Sequence, residues 1–312
     1  MGIGHQYLKS EQRQFESREI TMAKVSVIGS GMMGSALTRA LLKGGHDVMV
    51  FDLDVTKSEP LAALGASVAK NSQELAEHAD FLIPSLPSYR GLEGFVKSEG
   101  VIAALQGTVI VQLSSGSPEM VQAFGELIAN AGVGYLEGRI KNYPEDVGKP
   151  GSKIICSGDE RLFAKAEPVL EALAEHVDYV SDQLEAVAAL DEAVVTASYG
   201  QIWAMMLAGK LCQKYGVSPM VLLELTKETS LLNMADLEET GYPDLVSGNF
   251  RDDLDTATMT VWADSGEMTL EAIDAAGLDT TVFSAIQDLL RKAEKAGLAN
   301  RGIHAIADVM AK

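Results

Sequence analysis

Between Lys24 and about Val180 the apolar positions fall in short, nearly unbroken runs separated by amphipathic stretches. KVSVI (24–28) and DVMVF (47–51) have the length and β-branched content of buried strands. Met32 to Leu42, between them, spaces its apolar residues for a helix that stops at Gly44-Gly45. Ser72 to Glu77 predicts another helix, leading into strands at DFLIPSL (80–86) and GTVIVQL (107–113). Ser117, Pro118 and Glu119 read as the cap, first residue and first-turn acid of the next helix. GVGYLE and SKIICSG close the strand series. Strands alternating with helices predict an α/β fold, a doubly wound and mostly parallel sheet covered on both faces.

From about Gln183 the strand signal stops. Leu184 to Tyr215 is long enough for roughly nine helical turns, and further helices are expected near 218–229, 254–275, 281–297 and 302–311. GYPD (241–244) and SGNF (247–250) read as turns between them. The expected organisation is a loose extension over 1–22, a dinucleotide-type α/β domain over 23–183, an interdomain helix over 184–213 and an all-α domain over 214–312.

Composition narrows the partners. Hydrophobic residues make up 47% and charged residues 22%, enough apolar material for a full core. Lys and Arg total 25 against 44 Asp and Glu, a formal net charge of −19. Such a surface repels phosphate backbones and anionic lipid, which argues against nucleic-acid and membrane-surface partners. Two distant cysteines, Cys156 and Cys212, fit a reducing compartment, and five scattered histidines show no metal-ligand spacing. No apolar run reaches the roughly 18 residues of a membrane span, and the first twenty residues lack the apolar core of a secretion signal. A soluble, cytoplasmic protein without a metal is expected.

Candidate chemistry begins at Gly29-Ser30-Gly31-Met32-Met33-Gly34, a GxGxxG that follows a strand and opens a helix. Gly29 permits the tight turn, Gly31 lets backbone approach a pyrophosphate, and Gly34 lets helix and strand pack closely. Asp52 ends the second strand, eighteen residues after Gly34. A carboxylate there accepts from both ribose hydroxyls and repels a 2′-phosphate, favouring NADH over NADPH; its other reading is a turn cap. Leu53 follows with no Arg nearby. Ser85 and Leu86 end the next strand segment and join the expected cofactor set.

A second cluster decides the chemistry. VQLSSGSPEM (111–120) puts Ser114, Ser115 and Gly116 just past the carboxyl end of a strand, where open α/β sheets place ligands. The serines bond the nicotinamide or the substrate there, or only cap the next helix; Gly116 is expected to line the substrate pocket. GRIKNYPEDVGKPGSKIICSG (138–158) and LEAVAALDEAVVTASYGQIW (184–203) follow. In this order, the GSGMMG turn, the SSGSP loop, the YPEDVGKPGS region and the ALDEAVV helix resemble the β-hydroxyacid dehydrogenase (6-phosphogluconate dehydrogenase-like) superfamily, most closely the imine reductases and reductive aminases. The resemblance runs from residue 24 to 312.

That resemblance implies a Rossmann domain, a long interdomain helix and an all-α domain exchanged within a homodimer. It implies hydride transfer from NAD(P)H to an imine, or to a ketone plus an amine. Hydroxyacid members carry a catalytic lysine on the long helix; the matching residue here is Asp191, as in many imine reductases. An ammonium stabilises the oxyanion of a reduced ketone, whereas a carboxylate stabilises an iminium. Asp191 is thus expected as proton donor or iminium anchor, with apolar neighbours raising its pKa. Tyr199 and Trp203 on the same helix read as pocket wall or core. Met259 and Trp262 read as wall residues given by a partner subunit, or as plain helix packing.

Two features depart from the family pattern. Arg139, Lys141 and Glu145 bring charge to a stretch that is more apolar in typical imine reductases, pointing to a polar or carboxylated imine. The absence of Arg after Asp52 is the other, since most imine reductases resemble NADPH users. Two rival readings stay open: a hydroxyacid dehydrogenase lacking the usual lysine, and a non-catalytic dinucleotide-binding sensor.

Overall fold

A computed structural model of the chain describes residues 22–228, 236–250 and 257–310. Apart from Met22, the N-terminal extension lies outside the described residues. The chain divides into two compact units, Met1–Thr196 and Ala197–Lys312.

The first unit holds an eight-stranded sheet. Its strands are β1 Lys24–Ile28, β2 Asp47–Phe51, β3 Ser67–Val68, β4 Phe81–Pro84, β5 Val109–Gln112, β6 Gly134–Ile140, β7 Lys153–Gly158 and β8 His176–Ser181, in the order β3-β2-β1-β4-β5-β6-β7-β8. The pairings are parallel except that of β6 with β7, which is antiparallel. Strand order therefore reverses between β1 and β4, and the crevice outside the carboxyl ends of that pair is the site such sheets offer a ligand.

Each face of the sheet buries its own core. Val25, Val27, Val50, Val111 and Leu136 point to one side, against α1 (Met32–Lys43) and α7 (Glu160–Glu171). Ile28, Leu82, Ile110 and Tyr135 point to the other, against α3 (Ser72–His78), α4 (Tyr89–Val96) and α6 (Pro118–Asn130). Period-two alternation in doubly covered strands produces both sets. Ser117 caps α6 by accepting from Met120 N, with Pro118 in the first turn and Glu119 as its acid. Helices α2 (Val55–Ala62) and α5 (Val101–Ala104) and strand β8 carry no strong sequence signal; α2 is capped by Asp54, and β8 adds an edge strand beyond SKIICSG.

The long helix α8 runs from Ala186 to Lys214 and crosses the division between the units. Its start is fixed in the first unit. Ser157 on β7, fully buried, donates its hydroxyl to Leu184 O (2.7 Å) and accepts from Val187 N (3.2 Å). A side chain on Gly125 would overlap Leu184, so that glycine keeps the slot open.

In the second unit, helices at Met259–Ala275 and Thr281–Ala293 and a short helical segment at Ile303–Val309 close on a core of Phe250, Met259, Ala263, Leu290, Ala305 and Val309. Met259 is buried there, so it packs its own unit and is not an open wall residue. The GYPD stretch is no turn: Tyr242–Ser247 is helical, with Pro243 in the first turn where its missing N–H costs nothing. Gly248, with φ 64°, ends it.

A Cβ on Gly34 would overlap the carbonyl oxygen of Gly29, which has φ 96° and itself sits on Ser85. Backbone cannot swing aside as a side-chain tip can. Gly34→Ala is expected to cost about 1–3 kcal/mol, read as a lower urea midpoint; an unchanged midpoint would mean the turn tolerates that methyl.

Candidate active site

The glycine turn is built as a cradle. Gly29 N donates to Phe51 O and Ser85 N to Ile28 O, both at 2.8 Å, locking the carboxyl ends of β2, β1 and β4 together. Above Gly31 an added Cβ would find nothing within 4 Å. The N-terminus of α1 has Gly31 as N-cap, no side-chain cap and no acid in its first turn. Its leading N–H groups and dipole are open to an anion. These residues fit a dinucleotide pyrophosphate.

The other expected cofactor residues divide by placement. Ser30 turns inward: its N–H donates to Asp52 Oδ2 (2.7 Å) and its hydroxyl bonds that of Ser58 (2.9 Å). It shapes the turn and offers a ligand no free side-chain group. Asp52 Oδ1 also accepts from Asp54 N (2.9 Å), so the carboxylate braces the turn from the end of β2. Met32 and Leu53 are highly exposed at the cradle's rim, and Met33, Ser85 and Leu86 are half-buried. Ser114 N donates to Gln112 Oε1 (3.1 Å), and Ser115 is exposed.

At the carboxyl end of β6 lies a cluster that sequence reasoning only half found. Tyr135, Glu137, Arg139 and Lys141 alternate along the chain and so share one face of the strand and its extension. Glu137, fully buried, accepts from Tyr89 OH (2.6 Å) and Tyr135 OH (2.5 Å) and is ion-paired with Arg139. Phe124 stands edge-on to both tyrosine rings, at centroid distances of 6.0 and 5.2 Å. Tyr89 also explains Gly116, where any side chain would run into the Tyr89 ring. Gly116 is a packing glycine whose carbonyl is used from within.

Arg139 is committed on three sides. NH1 serves Glu137 and Gly138 O (2.8 Å), NH2 donates to Gly116 O (2.9 Å), and Nε makes no hydrogen bond but lies 3.5 Å from Asp191 Oδ2. It ties the SSGSP loop to β6 and α8. Burial pushes the Glu137 carboxyl up, against the pull of Arg139 and the two tyrosines. Burial works against the Arg139 charge, but Glu137 and Asp191 hold its pKa above the usual value. Tyr89 and Tyr135, buried beside Glu137, are both pushed well up and stay protonated donors.

Asp191 lies on α8, one turn past buried Val187. Its side chain is 19% exposed, and its partners differ from the apolar surroundings expected: Lys141 Nζ is 2.5 Å from Oδ1 and Arg139 Nε lies near Oδ2. Four charges, Glu137, Arg139, Asp191 and Lys141, thus run in alternating sign from core to rim. Tyr89, Tyr135 and Glu137 were missed in the sequence; the one signal for them was an acid and a base at period two inside a strand. In the second unit Tyr199 is exposed, and Trp203 and Trp262 are partly so. No group of three or more potential metal ligands occurs among the described residues, and no helix there is long and apolar enough to cross a membrane.

Known proteins are similar to this chain in sequence and in fold. Residues 24–181 match the family model for the NAD binding domain of 6-phosphogluconate dehydrogenase. Residues 183–312 match that of the NADPH-dependent reductive aminase-like C-terminal domain. The chain is 26% identical over 231 residues to 2-(hydroxymethyl)glutarate dehydrogenase of Eubacterium barkeri, covering 73% of this chain and 75% of that one. In fold it is similar to an imine reductase of Myxococcus stipitatus in complex with NADP+, with TM-score 0.80, 25% identity, and 92% and 100% of the two chains covered. A variant of that reductase in complex with NAD+ gives TM-score 0.87 at 24% identity, over 93% and 100%.

Glu137→Gln would leave Arg139 buried without a full counter-charge. Loss of one partner of a buried pair costs about 3–5 kcal/mol, so the variant should melt well below the wild type in calorimetry. A melting point within a degree of wild type would show that the pair is not what stabilises this end of β6.

Proposed function

The chain belongs to the family built on the NAD binding domain of 6-phosphogluconate dehydrogenase, in the form that carries a reductive aminase-like C-terminal domain, and from that membership we propose that it reduces imines to amines with NAD(P)H. It is an NAD(P)-dependent oxidoreductase; the imine as acceptor is the step proposed. The observation that carries it is Asp191, a carboxylate at the rim of the charge cluster, on the helix position to which the resemblance assigns a lysine in hydroxyacid members.

A bound nicotinamide supplies the hydride. The protein's share is the placement of charge. Ion-paired with Lys141 and flanked by Arg139, Asp191 is oriented before a substrate arrives, and an iminium nitrogen would take the place of the Lys141 ammonium on it. Arg139 also holds the Gly116 carbonyl, and with it the loop of Ser114 and Ser115. Asp52 supports NADH as the preferred cofactor. Its carboxylate is fixed at the end of β2, residues 53–56 bring no cation, and Lys57 stands 4.0 Å from Asp54. Cys156 and Cys212 remain thiols, in keeping with a cytoplasmic setting.

A homodimer with exchanged helical domains is part of the same reading. The second unit leaves Tyr199, Ile202, Met206, Met220 and Val221 exposed, more apolar surface than a lone soluble unit usually shows. Light scattering should return twice the chain mass; a monomer at micromolar concentration would count against it.

One observation favours a second reading, a β-hydroxyacid dehydrogenase: the ammonium of Lys141 stands beside Asp191 and could stabilise an oxyanion, the part that the resemblance gives to a helix lysine in hydroxyacid members. Oxidation of NADH and NADPH with a small cyclic imine, followed side by side for wild type and Asp191→Asn, separates the two. The imine reading expects turnover, faster with NADH, and a loss of about 10²- to 10³-fold in kcat/KM for the variant. No imine turnover, with NAD+ reduced by a β-hydroxy acid, would transfer the assignment to the second reading.

A further inference from the structure

We propose that the substrate is a zwitterion at the moment of reduction, an imine that carries its own carboxylate, with Asp191 taking the iminium and Lys141 the carboxylate. This rests on the imine reading above and narrows its substrate class.

Charge accounting leads there. Glu137 and Arg139 neutralise each other in the core, and Asp191 and Lys141 neutralise each other at the rim. A plain iminium cation drawn to Asp191 would compete with Lys141 for the same carboxylate and meet two cations there, Lys141 and Arg139. Like charges at such range repel strongly once water is displaced. A substrate with both an iminium and a carboxylate removes the conflict. Its cation replaces Lys141 on Asp191, its anion replaces Asp191 on Lys141, and the sum of charges stays at zero.

The cluster also decides which cation can act. Arg139 is 2% exposed, and its NH1 and NH2 are spent on Glu137 and on the carbonyls of Gly138 and Gly116. Lys141 has a side chain 32% exposed and three N–H donors, of which the described residues engage one, through Asp191. It is the cation of this cluster with donors to spare. It directly follows β6, so its backbone is fixed by the sheet while the ammonium can turn from Asp191 to a ligand.

The test compares 1-pyrroline with 1-pyrroline-2-carboxylate in wild type, Lys141→Met and Lys141→Arg. A second arm uses calorimetry of the NAD+-bound protein with proline and pyrrolidine, amines with and without the carboxylate. Wild type should prefer the carboxylated imine and bind proline more tightly. Lys141→Met should lower the kcat/KM ratio of carboxylated to plain imine about 100-fold, by raising KM for the first and easing entry of the second; Lys141→Arg should keep most of the preference. If Lys141→Met reduces both imines in parallel, or leaves the proline margin intact, the proposal is overturned while imine reduction stands. If no imine turns over but the proline margin exists and depends on Lys141, the imine reading fails and the recognition of a zwitterion holds.

Discussion

The arrangement at the carboxyl end of β6 depends on the burial of Glu137 with Arg139. Two charges removed from water are unfavourable unless geometry and extra hydrogen bonds compensate. Here the compensation comes from Tyr89 and Tyr135 on the carboxylate, and from the carbonyls of Gly116 and Gly138 on the guanidinium. Because those partners sit on α4, on β6 and in the loop after β5, satisfying one buried pair fixes three segments at once. Asp191 and Lys141 stand on that foundation.

The same constraint explains why a helix aspartate does not sit in apolar surroundings. Its helix neighbours predict an apolar setting, yet β6 and the residue that follows it deliver two cations to it. Those contacts join residues about fifty positions apart, and no local periodicity carries them. By contrast, the glycine turn, β1, β2, the capped helix after Ser117 and the start of the long helix were legible. Each rests on local signals, namely apolar runs, caps and turn chemistry. What was not legible had weak local signals or inverted ones. β8 is a partly buried edge strand, and Pro243 suggests a turn where it begins a helix.

Within the site the division is similar. The turn at Gly29 and Gly34 is legible from spacing, because a Cβ at either would overlap backbone, whereas Gly31 leaves open space for a ligand's close approach. Ser30 and Gly116 could not be placed correctly, because only packing shows that one faces Ser58 and the other lies beneath a tyrosine ring. Tyr135, Glu137, Arg139 and Lys141 alternate in the sequence, but the alternation has meaning only once the face of the sheet that they line is known.

The contact of Lys141 with Asp191 makes the central claim a geometric one: the two hold each other's place until a substrate of both charges separates them. The most direct measurement is a crystal structure of the NAD+ complex soaked with proline, refined for the separation of Lys141 Nζ and Asp191 Oδ1. The account predicts that the 2.5 Å contact opens, with the amine nitrogen on Asp191 and the carboxylate on Lys141. Proline bound with that ion pair still closed would contradict it.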